Sequence, residues 1–213
     1  MKLYSAPLSP FARKVRIMAI ELGLAERLEL VHQSVNPVTP DESFQATGNP
    51  LGKIPALLTD EGQTLYDSHV IAAYLDALAG GQGLVPADRR WQILTHQALA
   101  SGMTDAAILV RYELALRPAD KQWPAWVRGQ WSKFEEGLRA FESAAAGPAS
   151  PLSEGEPDQM VIDLAQIALA SGLSYVDVRF PDLGWRDRAP RVAAWHETIE
   201  RRASFIATAP PRS

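Results

Sequence analysis

The sequence predicts an α/β domain followed by an all-helical domain, and three observations carry that reading. Strand-like and helix-like segments alternate through residue 79 in the order β-α-β-α-β-β-α. Residues 80–87 then hold Gly80, Gly81, Gln82, Gly83 and Pro86, a run that sustains no regular element. Beyond it no strand pattern appears, and apolar residues recur at helical spacing instead. The implied boundaries are 1–79 for the first domain, 80–87 for a linker and 88–213 for the second. A chain of 213 residues is long enough to build two modest cores.

Residues 2–5 are short and β-prone, and Pro7 and Pro10 interrupt the backbone before a helix over 11–22. Val15, Ala19 and Leu22 share one face of that helix, and Gly23 stops it. Residues 28–32 read as a second strand, while 36–50, rich in Pro, Thr, Asp and Asn, read as loop with about one helical turn. Strand segments at 54–58 and 64–66 flank the polar, glycine-containing turn Thr59-Asp60-Glu61-Gly62-Gln63. Asp67 caps a helix over 68–79 whose buried side is Val70, Ile71, Tyr74, Leu75 and Leu78.

In the second half a long helix over 89–116 ends before Pro118. Val127, Trp131, Phe134, Leu138, Phe141 and Ala145 alternate spacings of four and three, which is one helical face. Residues 147–157 form a Pro, Ser and Gly loop. Asp163 with Gln166 then has the spacing of a capping box, and Ile162 with Ile167 that of a hydrophobic staple. Pro190 opens a last helix that turns Val192, Trp195 and Ile199 inward.

Composition narrows the function. Hydrophobic content of 46% with 22% charged residues is that of an ordinary packed protein. With 21 basic against 25 acidic side chains the net charge is −4, so no nucleic-acid footprint is expected. The basic clusters Arg13, Lys14, Arg16; Arg186, Arg188, Arg191; and Arg201, Arg202 are interleaved with apolar residues and read as solvated helix faces. No apolar run approaches the roughly 18 residues of a membrane span, and Met1-Lys2-Leu3-Tyr4 leads into a strand, so the expectation is a cytoplasmic protein with no membrane partner. With no cysteine, the chain has no disulfide and no thiol nucleophile of its own, so thiol chemistry requires a bound substrate. His32, His69, His96 and His196 lack ligand spacing, and no metal site is expected.

Three places carry chemistry. Ser9, in Ser9-Pro10-Phe11-Ala12-Arg13-Lys14-Val15, stands where a strand gives way to a helix whose N-terminus favours an anion; it either caps that helix or also serves a ligand. Ile54-Pro55 opens a strand after Gly52-Lys53. A trans bond is the ordinary state there; a cis bond would turn the Ile54 N–H and C=O toward an extended peptide ligand. Asp67-Ser68 is either a plain helix start or a receptor for an amino-acid head group, with the carboxylate on Ser68 and backbone N–H groups and the ammonium on Asp67.

In their order and in the β-α-β-α-β-β-α frame, these three segments resemble the thioredoxin-like domain of glutathione S-transferases. Ser9-Pro10-Phe11-Ala12 stands where redox relatives carry two cysteines, Ile54-Pro55 resembles the family's cis-proline turn, and Asp67-Ser68 resembles its acidic-Ser pair for the γ-glutamyl group. Ile162-Asp163-Leu164-Ala165-Gln166-Ile167 resembles the capping and staple motif of the family's helical domain, with Asp and Gln where Ser or Thr and Asp are usual. The segment from Trp185 to Pro210 resembles the tail of bacterial members.

The resemblance implies a cytoplasmic glutathione transferase of detoxification type, a homodimer, with glutathione as co-substrate and a small hydrophobic electrophile as partner. Ser9 is then the catalytic group that donates a hydrogen bond to the thiolate; Tyr4 is the competing hydroxyl. Ser9, Lys53, Ile54, Pro55, Asp67 and Ser68 bind glutathione, with Lys53 toward its glycyl carboxylate. Pro7, Leu8, Phe11, Met103, Arg111 and Tyr112 are the residues expected at the electrophile pocket between the domains. A noncatalytic glutathione or hydrophobic-ligand binding protein of the same fold is the alternative, and a glutathione-dependent isomerase or dehalogenase is a further one. Disulfide reductase chemistry is disfavoured because Ser9 cannot form a mixed disulfide.

Overall fold

A computed structural model describes residues 1–81, 83–147 and 150–211. Gln82 of the expected linker, residues 148 and 149 of the expected 147–157 loop, and residues 212 and 213 lie outside the described residues. The first seven elements follow in the expected order: β1 (Lys2–Ser5), α1 (Pro10–Glu21), β2 (Glu29–His32), α2 (Glu42–Thr47), β3 (Ala56–Leu58), β4 (Thr64–Leu65) and α3 (Ser68–Leu78).

The strands form one mixed sheet in the order β2-β1-β3-β4, with β1 parallel to β2 and antiparallel to β3, and β4 antiparallel to β3. Successive strand residues face opposite sides, so Leu3 and Tyr4 part company. Leu3 joins Leu57, Val15 and Ala19 of α1, and Ile71 and Leu75 of α3 in a single buried cluster. The Tyr4 ring meets Phe44 of α2 instead, with centroids 5.3 Å apart. The buried stripe of α3 is narrower than its apolar residues suggest. Ile71, Ala72 and Leu75 are enclosed, whereas Val70 and Leu78, expected inward, are exposed.

The remainder is helical: α4 (Arg90–Ala115), α5 (Pro124–Ala145), α6 (Leu164–Arg179), α7 (Trp185–Arg188), α8 (Pro190–Ile199) and α9 (Ala203–Ala207). This is the thioredoxin-like sheet domain with an all-helical partner. Helix α6 is its axis, since every residue from Leu164 to Val176 is buried. Its close approach to α4 depends on Gly172, where an added Cβ would lie 2.2 Å from Thr104 Oγ1. Ile162 and Ile167 are both buried, as a staple requires, and Asp163 Oδ1 accepts from the Gln166 N–H at 3.1 Å. The reciprocal half of the capping box is absent; the Gln166 side chain holds Ser153 of the preceding loop instead.

One basic cluster departs from expectation. Arg13 and Lys14 are buried, at 3% and 1% exposure, because the helical domain covers the side of α1 that the sheet leaves free. The Arg13 guanidinium donates to both oxygens of Glu200, at 3.1 and 2.9 Å, and to the Phe205 carbonyl. At the other end of α1, Glu21 accepts two hydrogen bonds from Arg202 at 2.7 Å and one from Ser204. Helix α1 is thus tied at both ends to the segment 200–205.

Candidate active site

Strand directions alone gather the three chemical segments. The turn after the C-terminal end of β1 carries Ser9. Strand β3 runs the opposite way, with Tyr4 paired to Ala56, so Ile54 and Pro55, just before it, sit at that same end of the sheet. Strand β4 reverses again and delivers Tyr66 and Asp67 to that end as well.

Ser9 is the N-cap of α1, with extended backbone (φ −78°, ψ 114°) and Pro10 at the first helical position. Its Oγ accepts from the Ala12 N–H at 3.2 Å. Ser9 thus caps α1, and a hydroxyl that accepts as a cap keeps its own hydrogen to donate. Pro10 has no N–H, and Ala12 is bound to Ser9 Oγ. The Phe11 N–H is left as the first-turn donor beside the hydroxyl, at the positive end of the helix. Tyr4 is directed to the α2 face of the sheet by its contact with Phe44, away from α1.

The Ile54–Pro55 bond is cis. Ile54 precedes the paired part of β3, so its N–H and C=O lie outside the sheet ladder. The loop before it is held by Asn49, a buried residue that our reading of the sequence missed. Its amide donates to the Lys53 carbonyl at 2.9 Å and accepts from the Leu51 N–H at 3.0 Å. The signal was present as the Asn49-Pro50 turn dipeptide. Lys53 itself is exposed.

Asp67 caps α3, its Oδ1 accepting from the His69 N–H at 2.9 Å, while the side chain remains 69% exposed. Burial pushes its carboxyl upward, but the His69 N–H bond and the His69 and Lys14 charges together hold it below the ordinary carboxylate value. Ser68, the first residue of α3, is buried at 2% exposure.

Around this helix start stands a charged group that the sequence did not announce. The Lys14 ammonium is buried with no hydrogen-bond partner among the described residues, 5.8 Å from the Phe11 ring centre. Burial pushes its pKa down to about 8, against the opposing pull of Asp67 and of Asp105 on α4. Burial and the Lys14 charge lower His69, whose Nε2 lies 3.3 Å from Ser101 Oγ. Burial raises Asp105, opposed first by Lys53.

A small crevice, partly open to solvent, lies between the Ser9 turn and α6. Pro7 and Leu8, two of the residues expected at the electrophile pocket, line it together with Ser9, Ser171, Tyr175 and Val178. Met103, also expected there, belongs to the helical core at 3% exposure, packed over Gly137, and cannot line an open pocket. Phe11, whose ring centre lies 5.8 Å from the Lys14 ammonium, is not among the residues that line the crevice. Arg111 and Tyr112 of α4 are half-buried and are not among the residues that line this crevice. The α6 residues were missed because a helix buried on all sides shows no amphipathic stripe.

Comparison with known proteins places the chain among relatives of the same fold. The model of the glutathione S-transferase N-terminal domain matches residues 3–83, and that of the C-terminal domain matches residues 124–198. The chain is 31% identical to the uncharacterized GST-like protein YibF of Escherichia coli K12, over 100% of both chains. A glutathione transferase family member from Pseudomonas fluorescens Pf-5, solved with bound glutathione, is 42% identical with a TM-score of 0.86, covering 99% of this chain and 98% of its own. A family member from the same source, solved with S-(propanoic acid)-glutathione, is 41% identical with a TM-score of 0.83 over 99% of each chain. The chain belongs to the glutathione S-transferase family.

Proposed function

We propose that this protein is a cytoplasmic, homodimeric glutathione transferase that activates the glutathione thiol for attack on a small electrophile. Residues 1–79 bind glutathione, 80–87 link, and 88–213 supply the far wall of the electrophile pocket. The observation that carries the reading is Ser9: its hydroxyl accepts from the Ala12 N–H, has no acceptor of its own among the described residues, and belongs to a residue lining the crevice toward α6.

The chemistry asked of Ser9 is modest. A free thiol titrates near 8.5, and the thiolate is the nucleophile. A depression of two units requires about 2.7 kcal/mol of differential stabilisation. One hydrogen bond to a charged sulfur supplies roughly 1.5–3 kcal/mol, and the helix N-terminus adds roughly 0.3–1. The thiol proton passes to water, the sulfur lone pair forms the S–C bond, and the displaced group leaves with the bonding electrons.

The remaining contacts follow the glutathione backbone. The Ile54 N–H and C=O pair with it as an added strand, Asp67 takes the γ-glutamyl ammonium, Ser68 with the α3 N-terminus takes its carboxylate, and Lys53 approaches the glycyl carboxylate. The solved relatives that hold glutathione and S-(propanoic acid)-glutathione support this reading.

The test is the pKa of bound glutathione, read from thiolate ultraviolet absorbance across pH in wild type and Ser9→Ala. Depression in the wild type, relieved by up to about two units in Ser9→Ala, is expected. A bound thiol that titrates as in water would leave a noncatalytic glutathione-binding protein.

A further inference from the structure

Two kinds of contact hold α1, and they come from different domains. Its own domain grips it through Val15 and Ala19, which pack with Leu3, Leu57, Ile71 and Leu75. Such apolar contacts are non-directional: they set how closely α1 lies on the sheet, but only weakly where it stands along or about its own axis. Among the described residues, no side chain of Pro10–Glu21 makes a hydrogen bond or ion pair to another part of residues 1–81.

The directional ties all reach the helical domain. Near the start of α1 the Arg13 guanidinium donates to both carboxylate oxygens of Glu200, at 3.1 and 2.9 Å, and to the Phe205 carbonyl at 3.1 Å. Glu200 is itself fixed, since its Oε1 accepts from Ser174 of the buried helix α6 at 2.7 Å. At the far end Glu21 meets Arg202, which also donates to the carbonyls of Pro157 and Met160.

Arg13 lies one turn after Ser9, with its backbone N–H on the Ser9 carbonyl at 2.9 Å, and Ser9, Arg13 and Ser174 border the same crevice. A bidentate guanidinium–carboxylate pair fixes orientation as well as distance. The end of α1 that carries the Ser9 hydroxyl is therefore registered against α6 by a charged pair, and against the sheet by apolar contact alone. Thiol activation is sensitive to that register, because a displacement of about 1 Å can cost roughly a hundredfold in rate. We infer that Glu200 is a positioning residue for Ser9, acting through Arg13 and held in place by Ser174. This rests on the transferase reading above and adds to its site a residue from the other domain.

The test is the charge-neutral double variant Arg13→Met, Glu200→Met, which removes the pair without leaving either charge buried alone. The thiol pKa of bound glutathione, read from thiolate absorbance, is expected to rise by about one unit relative to wild type. Glutathione Kd at pH 5.5, where the thiol stays protonated, is expected to change less than about threefold, because the proposed contacts to its backbone lie in residues 1–79. The matched double variant at the far end, Glu21→Met with Arg202→Met, should move the thiol pKa by under about 0.3 unit. If the first double variant does not fold, Ser174→Ala, which frees Glu200 and changes no charge, is expected to raise the thiol pKa by about half a unit. A wild-type depression that survives in the folded variant used, or an equal rise from the far-end variant, would overturn this inference and leave the transferase reading standing. A wild-type thiol that titrates as in water would overturn both.

Discussion

Helices α3 and α6 both begin on an aspartate that caps the helix with one carboxylate oxygen, and their surroundings give the two caps opposite characters. Asp67 is exposed, its carboxyl held below the ordinary value, with its Oδ1 engaged by His69 and its Oδ2 without a partner among the described residues. Asp163 is 8% exposed at its side chain, its carboxyl raised by burial, with Oδ1 on the Gln166 N–H and Oδ2 on Arg89 at 2.9 Å. A cap with an unused charged oxygen at the surface is available to a ligand; a cap whose oxygens are both consumed inside the protein is part of the scaffold. The residue type is the same, so the difference lies wholly in what packs around each helix start.

The sharpest test of the open cap is Lys14, the buried cation beside it. Its folded pKa of about 8 lies below the usual 10.5, so the fold disfavours the charged form. That penalty is present at neutral pH and is relieved as pH rises from about 8 toward 10.5, where the unfolded chain holds the proton and the folded chain does not. Lys14→Met is expected to raise stability at pH 7 by about 2–3 kcal/mol and to abolish the gain of wild-type stability over that alkaline range. Urea unfolding at several pH values measures both; a destabilised Lys14→Met would show that the ammonium is well paired.

Next in size is Asp163→Ala, which removes a buried cap and leaves the Arg89 guanidinium and the Gln166 N–H without their partner. It is expected to cost about 2 kcal/mol in urea unfolding. Asp67→Asn should change stability by about 0.5 kcal/mol or less, since the amide still caps, yet weaken glutathione binding about tenfold in calorimetry through the lost charge. A large stability loss there would erase the distinction between the two caps. The smallest effect belongs to Asp163→Asn. Because the folded pKa of Asp163 is raised, wild-type stability falls as pH rises through the carboxylate range; the amide variant should cost under about 1 kcal/mol and lack that part of the pH slope.

The order of elements, Ser9 at a helix start, the proline opening β3 and Asp67 as a cap were all legible, because each is a local backbone event with its own residue signal. The burial of Lys14 was not. Arg13, Lys14 and Arg16 read as one solvated run, and only the packing of the helical domain on α1 separates the Arg13 that finds Glu200 from the Lys14 that finds no hydrogen-bond partner among the described residues. Met103 failed as a pocket residue for a related cause: position on α4 does not say which neighbour covers it, and Gly137 of α5 does. Ser171 and Tyr175 were passed over because α6 is buried on all sides from Leu164 to Val176 and offers no amphipathic face to single out.

By itself the sequence determined what short-range chemistry can determine: which segments extend or coil, where helices are capped, and that any thiol must be brought in, since the chain has no cysteine. Tertiary structure decided which caps face a ligand, which charges are buried and which helix closes the crevice opposite Ser9. Those outcomes depend on contacts between residues far apart in the chain, such as Arg13 with Glu200 or Gly172 with Thr104. A local pattern sets the direction of a side chain but not the neighbour it meets.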